Sequence, residues 1–154
     1  MAEWKIGNNY FISTQKDLLD VKVIHSFLSK DSYWAQGIPE EIVEKSIQHS
    51  ALCFGVYKEV ENSQVQVGFA RIISDLASFA YLCDVFILPD HRGLGLSKSL
   101  MKIITNHPEL QKVRRLMLAT SDAHQLYAQY GFKPLDTPES FMQIRKKPSD
   151  LYHQ

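Results

Sequence analysis

The run Arg92-Gly93-Leu94-Gly95-Leu96-Ser97 follows an apolar stretch that ends at Pro89, and it opens a segment with Leu96, Leu100, Ile103 and Ile104 at helical spacing. A strand, a tight glycine turn and a helix start bring several backbone amides and the positive end of the helix dipole to one point, where an anion is stabilised. Gly93 and Gly95 remove side chains that would hold a phosphate away from the backbone. Arg92 adds a charge-assisted donor and Ser97 a hydroxyl donor. The chemistry is that of a diphosphate grip. Spacing separates the loops that share this logic. A Walker loop needs Lys-Ser or Lys-Thr after its last glycine, and Gly95 is followed by Leu96. A dinucleotide fingerprint needs a third glycine three residues after the second, where this chain has Lys98, and no early βαβ unit surrounds it.

Other side chains with chemical potential lie in the apolar runs. Asp84 interrupts Phe79 to Leu88, and a buried carboxylate is costly unless it is paired or functional. Two roles fit it: a general base, direct or through water, that takes a proton from an ammonium, or a structural partner of a helix N-terminus or of Arg71. Strand alternation places Asp84 on the face opposite Tyr81 and Cys83, which then line the acceptor side. Arg71, in phase with Val65, Val67, Phe69 and Ile73, either reaches into a cleft to bind a substrate carboxylate or sits at an edge in water. Tyr33 and Trp34 fall in an irregular loop and form a substrate wall or a lid over the core. His91 and His124 have no partner at ligand spacing, so no metal is expected. Asp122 reads as a helix cap.

The elements that must position these groups follow from periodicity. Tyr10 to Thr14 is β-rich; Val21, Ile24, Phe27 and Leu28 mark a first helix, and Pro39-Glu40-Glu41 starts a second that buries Ile42, Val43 and Ile47. Strands are expected over Ala51 to Tyr57, Val65 to Ile73 and Phe79 to Leu88, the last covered on both faces. A helix joins it to a parallel strand over Arg115 to Thr120. Ser121 or Asp122 caps a further helix carrying Ala123, Leu126, Tyr127 and Tyr130, which stops at Gly131; Phe132 and Phe141 to Arg145 read as closing strands. The expected fold class is α+β or mixed α/β in a single domain over residues 1–154.

Composition bounds the function. With 154 residues, 45% of them hydrophobic, the chain can bury a core without staples. Its formal charge of zero shows no footprint for nucleic acid or an anionic membrane. The two cysteines, Cys53 and Cys83, sit in apolar runs and are expected reduced. There is no leader pattern and no apolar run long enough to span a bilayer, which places the chain in the cytoplasm by default.

The stretch VFILPDHRGLGLSKSLM, from Val85 to Met101, resembles the acyl-CoA loop of the GNAT superfamily of N-acetyltransferases. AHQLYAQYGF, from Ala123 to Phe132, is similar to that family's second signature about thirty residues on. The resemblance covers nearly the whole chain and implies a splayed mixed sheet of six to seven strands flanked by about four helices. It also implies acetyl-CoA as co-substrate, with a small-molecule or peptide primary amine attacking the thioester directly. Val85, Phe86 and Ile87 would meet the pantetheine arm, and Arg92 to Ser97 the diphosphate. Tyr127 falls on the tyrosine that protonates the departing thiolate in many members, although its place on an apolar stripe also fits packing alone. Thr120 stands where many members have an asparagine that contacts CoA. A non-catalytic acyl-CoA-binding module of the same fold is the competing reading, and the chain is expected as a monomer or homodimer.

Overall fold

The structure, a computed structural model, describes residues 2–152. Two antiparallel strands open it, β1 (Glu3–Ile6) and β2 (Tyr10–Ser13). β1 has no counterpart among the expected strands; its alternation of exposed Glu3 and Lys5 with half-buried Trp4 and Ile6 is too short to stand out. Asp20 caps α1 (Val21–Ser26) by accepting from the Lys22 and Val23 amides, and the helix widens into a π-turn over Phe27–Asp31. α2 (Glu40–Gln48) begins after Pro39 with two acids in its first turn and buries Val43 and Ile47.

Three long strands follow, β3 (Leu52–Val60), β4 (Ser63–Ser74) and β5 (Phe79–Ile87), each antiparallel to the one before. α3 (Leu96–Thr105) then crosses over to β6 (Arg115–Met117), which lies parallel to β5 as the crossover rule requires. The sheet order is β1-β2-β3-β4-β5-β6. The chain ends through α4 (His124–Ala128) and α5 (Pro148–Leu151).

The sheet is covered on both faces. Leu96, Leu100, Met101 and Ile104 of α3 pack on Phe54, Ala70, Ile72, Ala80 and Leu82. On the other face Ile24, Phe27, Leu28, Val43 and Ile47 pack on Cys53, Phe69 and Phe86. Phe86 stacks on Phe27 with centroids 4.1 Å apart and planes 11° apart.

Two irregularities shape β5. Its pairing with β6 stops after Phe79↔Arg115, Ala80↔Leu116 and Tyr81↔Met117, so Leu82 to Ile87 have no strand on that side. Its pairing with β4 shifts between Phe69↔Phe86 and Arg71↔Cys83, so Ala70 alone faces Asp84 and Val85. This is a β-bulge, and Asp84 sits in it at φ 54°.

Three expectations are corrected. The strand expected to Thr120 ends at Met117, where its pairing with β5 stops at Tyr81↔Met117. Thr120 caps the next turn, its hydroxyl accepting from the Asp122 and Ala123 amides, in place of Ser121 or Asp122. The closing strands do not form: Phe132 packs edge-on against Tyr127, and Phe141 lies over the Arg115 guanidinium. Met142 and Ile144 are 96% and 98% exposed, for the three-residue β6 offers little edge to pair with.

Gly68 lies under the β4–β5 ladder, where an added Cβ would stand 2.6 Å from Ile87 Cδ1 and 2.9 Å from the Phe86 carbonyl oxygen. Gly68→Ala is expected to destabilise the chain by about 1–3 kcal/mol. Thermal unfolding should show this as a midpoint lower by about 3–10 °C.

Candidate active site

The glycine loop is built as an anion cradle. Gly93 and Gly95 hold φ of 79° and 78°, a region that side chains disfavour, and a Cβ on either would meet nothing within 4 Å. Gly95 starts α3 without a side-chain cap, and the first amide to find a helical acceptor is that of Ser99, on the Gly95 carbonyl. The amides from Gly93 to Lys98 therefore have no acceptor among the described residues. Arg92 donates from Nε to the Ile87 carbonyl at 2.8 Å, tying the loop to the end of β5. The Tyr10 hydroxyl meets His91 Nδ1 at 2.9 Å and braces it from β2.

Two cavities adjoin this loop. A cleft of about 600 Å³ opens where β5 and β6 part, and Tyr33, Trp34, Tyr81, Cys83, Asp84, Val85, Phe86, Arg92, Thr120 and Tyr127 line it. A smaller cavity of about 210 Å³ is lined by Ile87, Arg92, Gly93, Gly95, Leu96 and Ser97. Arg92 borders both. The residues picked from the sequence thus assemble into one continuous region, with two exceptions. Leu94 lines neither cavity and is largely exposed, and Arg71 lies behind Asp84. Phe86 has its ring in the core, which leaves its backbone for the cleft.

Asp31, His91 and Lys98 at these walls are not singled out as site residues by the sequence, which gives Ser121 and Asp122 only a capping role. His91 and Lys98 flank the glycine motif and were within reach of its logic. Asp31 and Ser121 are brought in by a contact between distant segments: the Tyr33 hydroxyl accepts from the Ser121 amide at 3.0 Å, across 88 residues.

The geometry decides among the open alternatives for Asp84 and Arg71. Arg71 Nε donates to Asp84 Oδ2 at 2.6 Å and Trp34 Nε1 donates to Oδ1 at 2.8 Å. Arg71 Nη1 also donates to Ser50 Oγ at 3.2 Å. The pair is mostly buried, at 15% and 9% side-chain exposure. Burial is the largest single influence and works against the Arg71 charge, but the Asp84 carboxylate together with Cys83 and Cys53 outweighs it and the guanidinium pKa is raised. Both oxygens of the carboxylate are thus occupied by donors, which favours the structural role over that of a base. Asp84 does not lie on the face opposite Cys83, as regular alternation would place it. Arg71 faces Cys83 across the ladder, so the two share a face, and the bulge turns Asp84 onto that same face.

The remaining groups are tuned by burial. It pushes the Cys83 thiol up to about 12 and Cys53 to about 11, so neither is a ready nucleophile. Tyr127 is raised above the ordinary phenol value by burial, with Tyr33 and Asp122 adding to it. Its ring packs at 73° on Phe132, and its hydroxyl bonds nothing among the described residues. The hydroxyl therefore stays protonated at neutral pH, with its hydrogen uncommitted.

Comparison with known proteins assigns this fold, with its cradle, open strand edge and cleft, to a family. A family model described as an acetyltransferase (GNAT) domain matches residues 17–148. A protein of Gibberella zeae, provisionally named an acetyltransferase, is 32% identical over 140 residues, covering 80% of this chain and 78% of its own. A crystal structure of a GNAT-family protein from Xanthomonas campestris pv. campestris, also provisionally named an acetyltransferase, is 51% identical. It aligns over 94% of this chain and 97% of its own with a TM-score of 0.85. A protein from Clostridium acetobutylicum, assigned by prediction as an acetyltransferase and crystallised with acetyl-CoA, shares the fold at 17% identity and a TM-score of 0.62, over 89% of this chain and 95% of its own. The chain belongs to the GNAT family of acetyltransferases.

With its thiol pKa raised by burial, Cys83 should be thiolate in only a very small fraction of the native protein at pH 8. Alkylation by iodoacetamide is expected to be slow there and to accelerate with pH, with no acetylated cysteine found by mass spectrometry after incubation with acetyl-CoA. Rapid labelling of Cys83 at pH 7 would contradict this assignment.

Proposed function

We propose that the chain is an acetyl-CoA-dependent N-acetyltransferase acting on a cationic primary amine by direct attack. The observation that carries this reading is the junction, at Arg92, of a cradle of unpartnered amides with a cleft whose far wall holds an uncommitted tyrosine hydroxyl. Family members use acetyl-CoA, and the residues here fit it. The Gly93 to Lys98 amides and Arg92 would hold the diphosphate, and the unpaired edge of β5 from Leu82 to Ile87 offers backbone groups to the pantetheine amides. Acetyl-CoA supplies the activated acetyl group as a thioester.

The amine, neutral after losing a proton to solvent, attacks the thioester carbonyl; the C–N bond forms, the C–S bond breaks, and the nitrogen releases its second proton to water. Tyr127 gives its phenolic proton to the sulfur and is reprotonated from water. The hydroxyl's burial-raised pKa keeps that proton in place until thiolate charge develops. Nitrogen as the acceptor is supported by a further relative, an uncharacterised N-acetyltransferase encoded by ycf52 in Porphyra purpurea. It is 32% identical over 95 residues, 61% of this chain and 55% of its own.

Charge supports a cationic acceptor. Asp31 and Asp122 line the cleft, and neither is in an ion pair among the described residues. Arg71, a candidate carboxylate anchor by its strand phase, is neutralised by Asp84. Arg92 is the Lys or Arg residue lining the larger cleft, and it sits at the glycine-loop end. At the other end a substrate carboxylate would meet two acids and no free cation among the described lining residues.

Free-thiol release from acetyl-CoA across a panel of amines is expected to favour diamines and polyamines over α-amino acids. A preference for amino acids would remove the charge argument. Tyr127→Phe should lower kcat by about 10²-fold while leaving CoA affinity, measured by calorimetry, within about threefold. Unchanged turnover in that variant would end the acid role.

A further inference from the structure

Three separate chain segments converge on the Asp84 carboxylate. It belongs to the β5 bulge, at a φ of 54° that a residue with a side chain adopts at a cost. Arg71 reaches it from the neighbouring strand β4, and Trp34 from the loop after the π-turn, 50 residues away in sequence. Tyr33 then extends the connection. Its ring meets Trp34 edge-on at 4.9 Å and 83°, and its hydroxyl accepts the Ser121 amide on the opposite side of the cleft. Ser121 follows Thr120, whose hydroxyl starts the turn into α4, the helix that carries Tyr127.

This path spans the place where the sheet cannot. Ladder hydrogen bonds fix β5 against β6 only up to Tyr81 and Met117. Beyond them, Tyr33 and Trp34 supply hydrogen bonds that join the β5 bulge to the segment leading into Tyr127. Tyr33 is 55% exposed, so its bond to Ser121 does little for the core. It does link the walls of the cleft.

Resting on the acetyltransferase reading, we infer that Tyr33 and Trp34 form a strap, anchored on the Asp84 carboxylate, that sets the separation between the β5 bulge and Tyr127. Asp84 is then a positioning residue. It orients Trp34 and holds the bulge, and it exchanges no proton with the substrate. Both walls carry groups of the reaction, backbone on one side and the proton donor on the other. A strap that loosens should therefore slow the chemical step more than it weakens CoA binding, which is set at the glycine loop.

The test uses the full chain and four variants, Tyr33→Phe, Trp34→Phe, Asp84→Asn and the double Trp34→Phe/Asp84→Asn. Tyr33→Phe and Trp34→Phe are expected to lower kcat by about 5- to 20-fold, with CoA affinity by calorimetry within about twofold of the parent. The double variant should be no slower than its slower single, because both remove the same link. The pH dependence of kcat should keep its shape in all four. Deuterium uptake at residues 119–128 should quicken in Tyr33→Phe and Trp34→Phe.

A loss beyond about 100-fold in Asp84→Asn together with disappearance of the acidic limb, while Trp34→Phe and Tyr33→Phe stay at parental rates, would make Asp84 the base and overturn the strap. Unchanged uptake at 119–128 in both aromatic variants would also overturn it. If Asp84→Asn does not fold, the two aromatic variants decide the matter. If the parent turns over no amine at all, the transferase reading fails separately; the strap as a brace of the cleft then stands or falls on the uptake at 119–128.

Discussion

Parallel pairing between β5 and β6 lasts for three residue pairs, and the working parts of this protein depend on where it stops. A central strand normally spends its backbone donors and acceptors on two neighbours. Here β5 keeps one neighbour, β4, throughout, and from Leu82 onward its other edge is free. Unpaired backbone in a half-buried cleft is unfavourable unless water or a ligand satisfies it. The splay thus makes room for an extended, amide-bearing molecule and leaves hydrogen-bonding groups to receive it. The glycine loop continues that line at the end of β5, and Arg92 ties the two together through the Ile87 carbonyl.

Keeping such a gap open requires that strain be stored and opposed. Asp84 holds a left-handed conformation in mid-strand, a cost of order 1–3 kcal/mol for a residue other than glycine. Its carboxylate is anchored by Arg71 and Trp34, and removing one partner of a buried, hydrogen-bonded ion pair typically costs about 3–5 kcal/mol. The second magnitude exceeds the first. The bulge therefore persists because releasing it would strand a buried charge, whereas the local backbone preference alone would favour a regular strand.

The parts that could be read from the sequence are those in which local pattern and tertiary structure agree. The glycine loop is legible because its spacing, its preceding strand and its following helix all fall in one continuous stretch, from Phe79 to Thr105. The strands β3 to β5, both long helices and the parallel crossover are legible for the same reason. Asp84 shows the limit. Its presence in an apolar run correctly marks it as needing a partner, and Arg71 is among the partners the sequence suggests. The face it occupies is misjudged because alternation assumes a regular pleat, and a single bulged residue reverses the phase. The closing strands fail differently: Phe141, Met142 and Ile144 have strand composition, but forming a strand needs an edge in register, and composition does not report one.

The two ends of the cleft differ in the same way. At the glycine-loop end, the proposed anion recognition rests on backbone amides whose direction follows from two positive-φ glycines and a helix start, so a short motif specifies it. At the acceptor end the walls come from the loop around Tyr33, the β5 bulge and the segment before α4, joined by contacts across 50 and 88 residues. No short window contains that information. This division permits the acceptor pocket to vary through a few side chains while the cofactor end stays constrained by backbone geometry. The joint between the two is Arg92, which borders both cavities; on the proposed reading, a substitution there would disturb cofactor and acceptor together, whereas one at Tyr33 or Asp31 would act on the acceptor wall first.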